Sequence, residues 1–142
     1  RDRSYVISLF HIVISTHERR LALPAPGDSQ LYKYIVGVVR NHNSQVLAIN
    51  GIEDHIHILV DVNVTESLAA IVRDIKRSSS MWIAAKCDEF PLFRSWSRGY
   101  YAASISVTHK DAVIRYIASQ KEHHKTTSSD EEFFQLLDKL KI

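Results

Sequence analysis

The chain has 142 residues, 45% apolar and 24% charged, proportions of an ordinary globular protein that exclude a collagen-like repeat, a disulfide scaffold and an extended disordered chain. Its length suits one domain with a real core and is too short for two ordinary ones. With 18 Lys plus Arg against 16 Asp plus Glu, the formal charge is only +2, so any affinity for nucleic acid must come from local clustering of cations.

Cys87 is the single cysteine, which excludes an intramolecular disulfide and a multi-cysteine zinc site and reads as a small, semi-buried thiol. No apolar run reaches the roughly 18 to 20 residues that span a bilayer, and nothing reads as a signal peptide. The expectation is a cytoplasmic protein without a membrane partner.

In chain order, Tyr5 to Ser15 is a β-branched and aromatic run without helical spacing, and reads as a strand near the centre of a sheet. Two prolines and a glycine make 16–27 a loop. Asp28 or Ser29 can cap a helix to about His42, with Leu31, Ile35, Val38 and Val39 as its apolar stripe. Gln45 to Asn50 and Ile52 to Val62 read as two strands joined by a tight Asn50-Gly51 turn.

Thr65 and Glu66 open the next helix, whose buried side is read as Leu68, Ile71, Val72, Ile75, Met81, Trp82 and Ala85, and which ends before Pro91. Tyr100 to Val107 is a fourth strand and Asp111 starts a helix to about His124. A polar break precedes a terminal amphipathic helix from Glu131 to Leu140. The order β-α-β-β-α-β predicts an α+β, ferredoxin-like or RRM-like antiparallel sheet with helices mainly on one face, followed by C-terminal helices.

Two constellations carry chemistry. On the strand from Ile52 to Val62, alternation puts His55 and His57 on one face and Ile56 and Ile58 on the other. Paired imidazoles suit a borderline divalent metal, but a third donor must come from elsewhere, and polar residues at alternate strand positions are also ordinary surface chemistry. On the helix from Asp111, Val113, Ile114 and Ile117 form an apolar stripe, while Tyr116 and Gln120, four apart, share another face. A helical tyrosine is usually a packing residue. The combination is more informative: a metal held by the histidines can neutralise a phosphodiester that a tyrosine attacks, and Gln120 offers an oxygen to complete the ligand set.

These residues bear a family resemblance. His55-Ile56-His57, within the run Gly51 to Leu59, and Tyr116-Ile117-Ala118-Ser119-Gln120 followed by His123-His124 resemble the two motifs of single-tyrosine HUH transposases of the insertion-sequence 200/605 type. Phe10 to Val13, Lys76 to Ser79 and Trp96 to Tyr101 fall in the same order, so the resemblance covers nearly the whole chain. It implies a metal site of His55, His57 and Gln120 holding Mg2+ or Mn2+, with Tyr116 as the nucleophile. Single-stranded DNA would be cut and rejoined through a 5′-phosphotyrosine. The resemblance also implies DNA hairpins as partners and a homodimer whose active sites can be shared between subunits. His17 stands where the family commonly carries a lysine.

For DNA binding, Arg73, Lys76 and Arg77 form a basic strip that can contact phosphates. Arg94, Trp96, Arg98, Tyr100 and Tyr101 interleave cations with aromatics, a pattern suited to stacking on unpaired bases and equally to core packing for Trp96 and Tyr101. His123 and His124 can assist the metal, bind phosphate or simply face the helix dipole. Three other readings stay open: a non-catalytic RRM-like module, a hydrolase using metal-bound hydroxide, and a domesticated relative that processes palindromes with the same chemistry.

Overall fold

The computed structural model describes residues 4–123. Four strands, β1 (Leu9–Ser15), β2 (Gln45–Ile52), β3 (His55–Asp61) and β4 (Tyr101–Ile105), form one sheet in the order β2-β3-β1-β4. Every neighbouring pair is antiparallel. Two long helices, α1 (Gly27–Asn41) and α2 (Leu68–Ala84), connect them, and α3 (Lys110–Ala118) and α4 (Gln120–His123) follow β4. This is the expected α+β, ferredoxin-like arrangement.

Side-chain alternation divides the inner strands cleanly. Ile12, Ile14, Ile56, Ile58 and Val60 point to one face, where they meet Leu31, Ile35 and Val39 of α1 and Ile71, Val72 and Ile75 of α2. Leu9 and Leu59 point to the other, where Ile117, with Val113 and Ile114, brings α3 down onto the sheet. A bulge in β2 sets the register at its far end. Val46 pairs with Val60 but Ala48 pairs with Leu59, so one extra residue, Leu47, lies on the α3 side. The bulge therefore brings Asn50 opposite His57.

Several sequence expectations need correcting. Strand β1 starts at Leu9, because Leu9 already lies opposite Asp61 and Ile105, where both neighbouring strands end; Tyr5, Val6 and Ile7 are exposed. β4 likewise spans only Tyr101–Ile105. Asn50 and Gly51 are not the hairpin turn. They pair with His57 and Ile56 inside the ladder, and the chain turns at Glu53 and Asp54 instead. That later turn is held from outside: the Glu53 carbonyl accepts from Ala22 and Leu23 N–H, and the Asp54 carbonyl from Thr16 N–H, all at 2.9 Å. Gly51 is needed for close approach, since a Cβ there would lie 2.2 Å from the His55 carbonyl oxygen.

Neither Asp28 nor Ser29 caps α1, which starts at Gly27 without a side-chain cap; Asp28 lies buried in its first turn. Ser67, rather than Thr65 or Glu66, caps α2 by accepting from Ala70 N–H. The buried stripe of α2 continues through Ser79 and Ile83, as helical spacing from Ile71 and Ile75 requires. Met81 and Ala85 fall outside it and are exposed. Cys87 is exposed rather than semi-buried. The terminal helix expected at 131–140 lies outside the described residues.

The two long helices are also clasped electrostatically. His42, just past α1, puts Nδ1 2.6 Å from Glu66 Oε1 and Nε2 2.7 Å from Asp74 Oδ2 on α2, and Arg77 lies 2.6 Å from the other Asp74 oxygen. The hydrogen bond to Glu66, with help from Asp74, raises the His42 pKa above its ordinary value. The hydrogen bond from His42, together with the nearby Arg77 and Arg73 charges, lowers that of Asp74. A raised folded pKa stabilises fully below the unfolded value of about 6.5, and the gain is lost as pH rises through the folded value. The lowered Asp74 pKa acts oppositely, its contribution being lost as pH falls through its folded value. The difference in melting temperature between wild type and His42→Gln is therefore largest near pH 6, roughly the unfolded histidine range, and shrinks as pH rises. Thermal melts across pH check this, and parallel curves would contradict it.

Candidate active site

The face of the sheet under α3 and α4 concentrates the polar chemistry. His11 on β1 and His55 and His57 on β3 all point to it and are almost completely buried, as is Gln120 at the start of α4. Such burial of polar groups is costly unless they are hydrogen-bonded or engage a ligand. The His55 and His57 rings are 4.9 Å apart, closer than their backbone spacing because they lean together. Tyr116, half-buried on α3, lies with its ring 5.6 Å from His57 and 6.1 Å from His11, edge to face with both.

Two contacts define how the histidine pair is held. His55 Nδ1 is 2.7 Å from Asp54 Oδ1, and Arg19 Nε lies 3.5 Å from the other Asp54 oxygen. An ionised carboxylate only accepts, so His55 donates from Nδ1, and in the neutral ring the lone pair is then on Nε2. His57 Nδ1 is 2.8 Å from His11 Nε2, a diagonal contact between neighbouring strands.

The tyrosine segment differs from the single helix expected over 111–124. It breaks at Ser119, whose N–H still reaches the Arg115 carbonyl at 3.1 Å and whose Oγ donates to the Tyr116 carbonyl at 3.0 Å. Gln120 thus opens a second short helix, with Nε2 donating to the Tyr116 carbonyl at 3.3 Å. Gln120 Oε1 is buried with no hydrogen-bond partner among the described residues.

Lys121 pins this segment to its own chain. Nζ reaches Asp28 Oδ2 at 3.0 Å, Asn50 Oδ1 at 3.0 Å and the Gly51 carbonyl at 2.9 Å, while Asn50 Nδ2 donates to the Ala118 carbonyl at 3.2 Å. Tyr32 lies beside the latch, its phenol pKa pushed up by burial and by the Asp28 carboxylate. The sequence reading missed Asp28 as an ion-pair partner and Lys121 altogether. A Lys directly after Gln120 was a visible signal, but its partners are 70 or more residues away.

The donor set fits a divalent ion. No group of three His, Cys, Asp or Glu side chains among the described residues is placed to share one metal, so an ion held by His55 and His57 needs another kind of donor. The buried Gln120 oxygen is such a donor, neutral and otherwise unsatisfied. Two imidazoles plus a carboxamide oxygen suit Mn2+ and, with water, Mg2+.

The residues expected to bind DNA lie elsewhere. Arg73, Lys76 and Arg77 line a groove of about 490 Å³ with Ser80, Trp96 and Tyr100, on the α2 side of the sheet. Lys76 is already committed: Nζ donates to the Ser97 carbonyl at 2.8 Å and to the Gly99 carbonyl, and burial lowers its pKa. Trp96 is buried and donates to Ser79 Oγ at 2.9 Å, so it packs and does not stack on bases. Tyr100 is exposed at the groove. Arg94 and Arg98 are exposed and do not line it. Tyr101 belongs to the histidine face, its ring 6.3 Å from His11. His17 is exposed near Glu18. The side chain of His123, and all of His124, lie outside the described residues.

The antiparallel sheet carries the buried histidine pair on the face that α3, with Tyr116, packs against. The family described as "Transposase IS200 like" matches residues 5–120, and the chain belongs to that family. Two solved structures share the fold. A protein from Deinococcus radiodurans R1 classed as a transposase aligns with a TM-score of 0.63 at 19% identity, over 84% of this chain and 96% of that one. A REP-associated tyrosine transposase bound to a REP hairpin aligns with a TM-score of 0.66 at 16% identity, over 87% and 73%. No curated protein matches.

Replacing Lys121 by Met should release the latch and leave the sheet intact. Hydrogen exchange at the 117–121 amides is expected to accelerate about tenfold, the scale of one lost net hydrogen bond, with β3 amides unchanged. Unaltered exchange in α3 and α4 would show that the latch does not hold them.

Proposed function

We propose that this transposase cleaves and rejoins single-stranded DNA through a 5′-phosphotyrosine on Tyr116, using a divalent metal held by His55, His57 and Gln120. The observation that carries the reading is the Tyr116 ring 5.6 Å from that of His57, with the buried, unsatisfied Gln120 oxygen four residues further along the chain. Membership of the transposase family supports it.

Tyr116 supplies the nucleophilic oxygen. A phenol of pKa about 10 is a weak nucleophile at neutral pH, so charge on the phosphate it attacks must be offset. The bound ion would act there as a Lewis acid. The Tyr116 oxygen bonds to phosphorus, the bond from phosphorus to the 3′ oxygen breaks, and the phenolic proton is balanced by the one the departing oxygen acquires as a 3′-hydroxyl. The phosphotyrosine conserves the ester, so a 3′-hydroxyl can later attack it and restore Tyr116 without ATP. The edge-to-face packing of Tyr116 on two imidazoles restricts its ring and holds it for both directions.

DNA hairpins are the proposed partners, as the hairpin-bound relative suggests. Arg73, on the opposite face from the histidines, is suited to phosphate contacts, as is the exposed Arg77 beyond its pairing with Asp74; Lys76 contributes by shaping the 97–99 loop. Arg98 is a further exposed cation on this side. A homodimer with shared active sites is compatible with the break at Ser119, although the Lys121 latch favours docking of Tyr116 on its own sheet. The alternative of an RRM-like module that stacks bases on its sheet is disfavoured, because α3 and α4 cover the face where the stacking aromatics would be exposed.

A labelled single-stranded hairpin substrate with Mn2+ is expected to give a denaturation-resistant protein–DNA adduct. Tyr116→Phe should abolish it, and His57→Ala should reduce it to background with folding retained. Cleavage without any adduct would instead indicate a hydrolase acting through water.

A further inference from the structure

His11 is a buried titratable group that the proposed chemistry does not use. It lies on β1, 46 residues before its partner, almost fully buried, with Nε2 2.8 Å from His57 Nδ1 and its ring 5.1 Å from that of His57. A hydrogen bond between two neutral imidazoles needs one ring to donate and the other to accept, and the choice fixes both tautomers. If His57 donates from Nδ1, its lone pair is on Nε2. If His11 donates, the lone pair of His57 is used inside the pair and Nε2 carries a proton.

The neighbouring ligand shows which arrangement makes a site. Asp54 compels His55 to carry its proton on Nδ1, so His55 offers Nε2. Two imidazoles 4.9 Å apart can share one ion only if His57 offers a lone pair as well, and its Nδ1 is occupied by His11. We propose that His11 is a positioning residue: it accepts the Nδ1 hydrogen of His57, fixes that ring in the Nδ1–H tautomer and leaves Nε2 as the metal donor. His11 would do for His57, with a neutral acceptor, what Asp54 does for His55 with a charged one. This inference rests on the metal reading above, and second-sphere partners of this kind govern ligand orientation and basicity.

The geometry explains why the acceptor is a histidine. His11 stands opposite Leu59 and diagonal to His57, a separation that only a long side chain with an acceptor at its tip spans. Gln places its oxygen at a similar reach, whereas Phe fills the volume without an acceptor.

Two measurements test the assignment. Long-range ¹H–¹⁵N correlation spectra of the metal-free protein, taken where the imidazoles are neutral, report each tautomer directly. His57 is expected as Nδ1–H in wild type and His11→Gln, and as the Nε2–H form that dominates in free histidine in His11→Phe. Mn2+ titration should show affinity falling about 10- to 100-fold in His11→Phe and recovering in His11→Gln. An Nε2–H tautomer for His57 in wild type overturns the proposal without needing any variant to fold, and so does unchanged Mn2+ affinity in a folded His11→Phe protein. Failure of wild type to bind Mn2+ while His57 is Nδ1–H would overturn the metal reading and leave the hydrogen-bond assignment standing.

Discussion

Everything at this site depends on the two-residue alternation of β3. A strand must send successive side chains to opposite faces, so one seven-residue segment, His55–Asp61, builds the core and the site at once. Ile56, Ile58 and Val60 close the core against α1 and α2. His55, His57 and Leu59 face α3. A one-residue slip would place both imidazoles in the core and three aliphatic residues under the tyrosine. The hydrophobic drive to bury the isoleucines is therefore also what aims the histidines, and packing the core fixes the site's register.

The surrounding elements refine that placement. The bulge at Leu47 brings Asn50 opposite His57, and Asn50 then ties to both Ala118 and Lys121. Gly51 lets β2 pass the His55 carbonyl where a larger residue could not. Asp54, at the hairpin turn, accepts from Thr16 through its backbone and from His55 through its side chain. The turn that closes the hairpin thus also orients the first histidine. The break at Ser119 lets Tyr116 and Gln120 sit on separate short helices, each free to take its own direction over the same sheet.

The sequence made the periodic features legible and hid those that depend on distant partners. The β-α-β-β-α-β order, the shared face of His55 and His57 and the apolar stripes of α1 and α3 follow from spacing alone. The Asn50-Gly51 dipeptide misled because its turn preference is local, whereas the 16–23 loop, by binding the Glu53 and Asp54 carbonyls, shifts the turn by three residues. His11 looked like one polar residue in an apolar strand, since its meaning comes from a residue 46 positions away. The spacing around Trp96 suits stacking and core packing equally, and only its bond to buried Ser79 assigns it to the core. Asp28 read as a cap, but its partner, Lys121, lies at the other end of the fold.

The central claim is that two imidazoles from β3 and the carboxamide from α4 converge on one ion beside Tyr116. Pulsed electron paramagnetic resonance of the Mn2+-loaded protein tests it most directly, because directly bound nitrogens modulate the echo. The account predicts coupling from two imidazole nitrogens, with one lost in His55→Ala and one in His57→Ala. An echo without nitrogen modulation, or one that neither substitution alters, would contradict it.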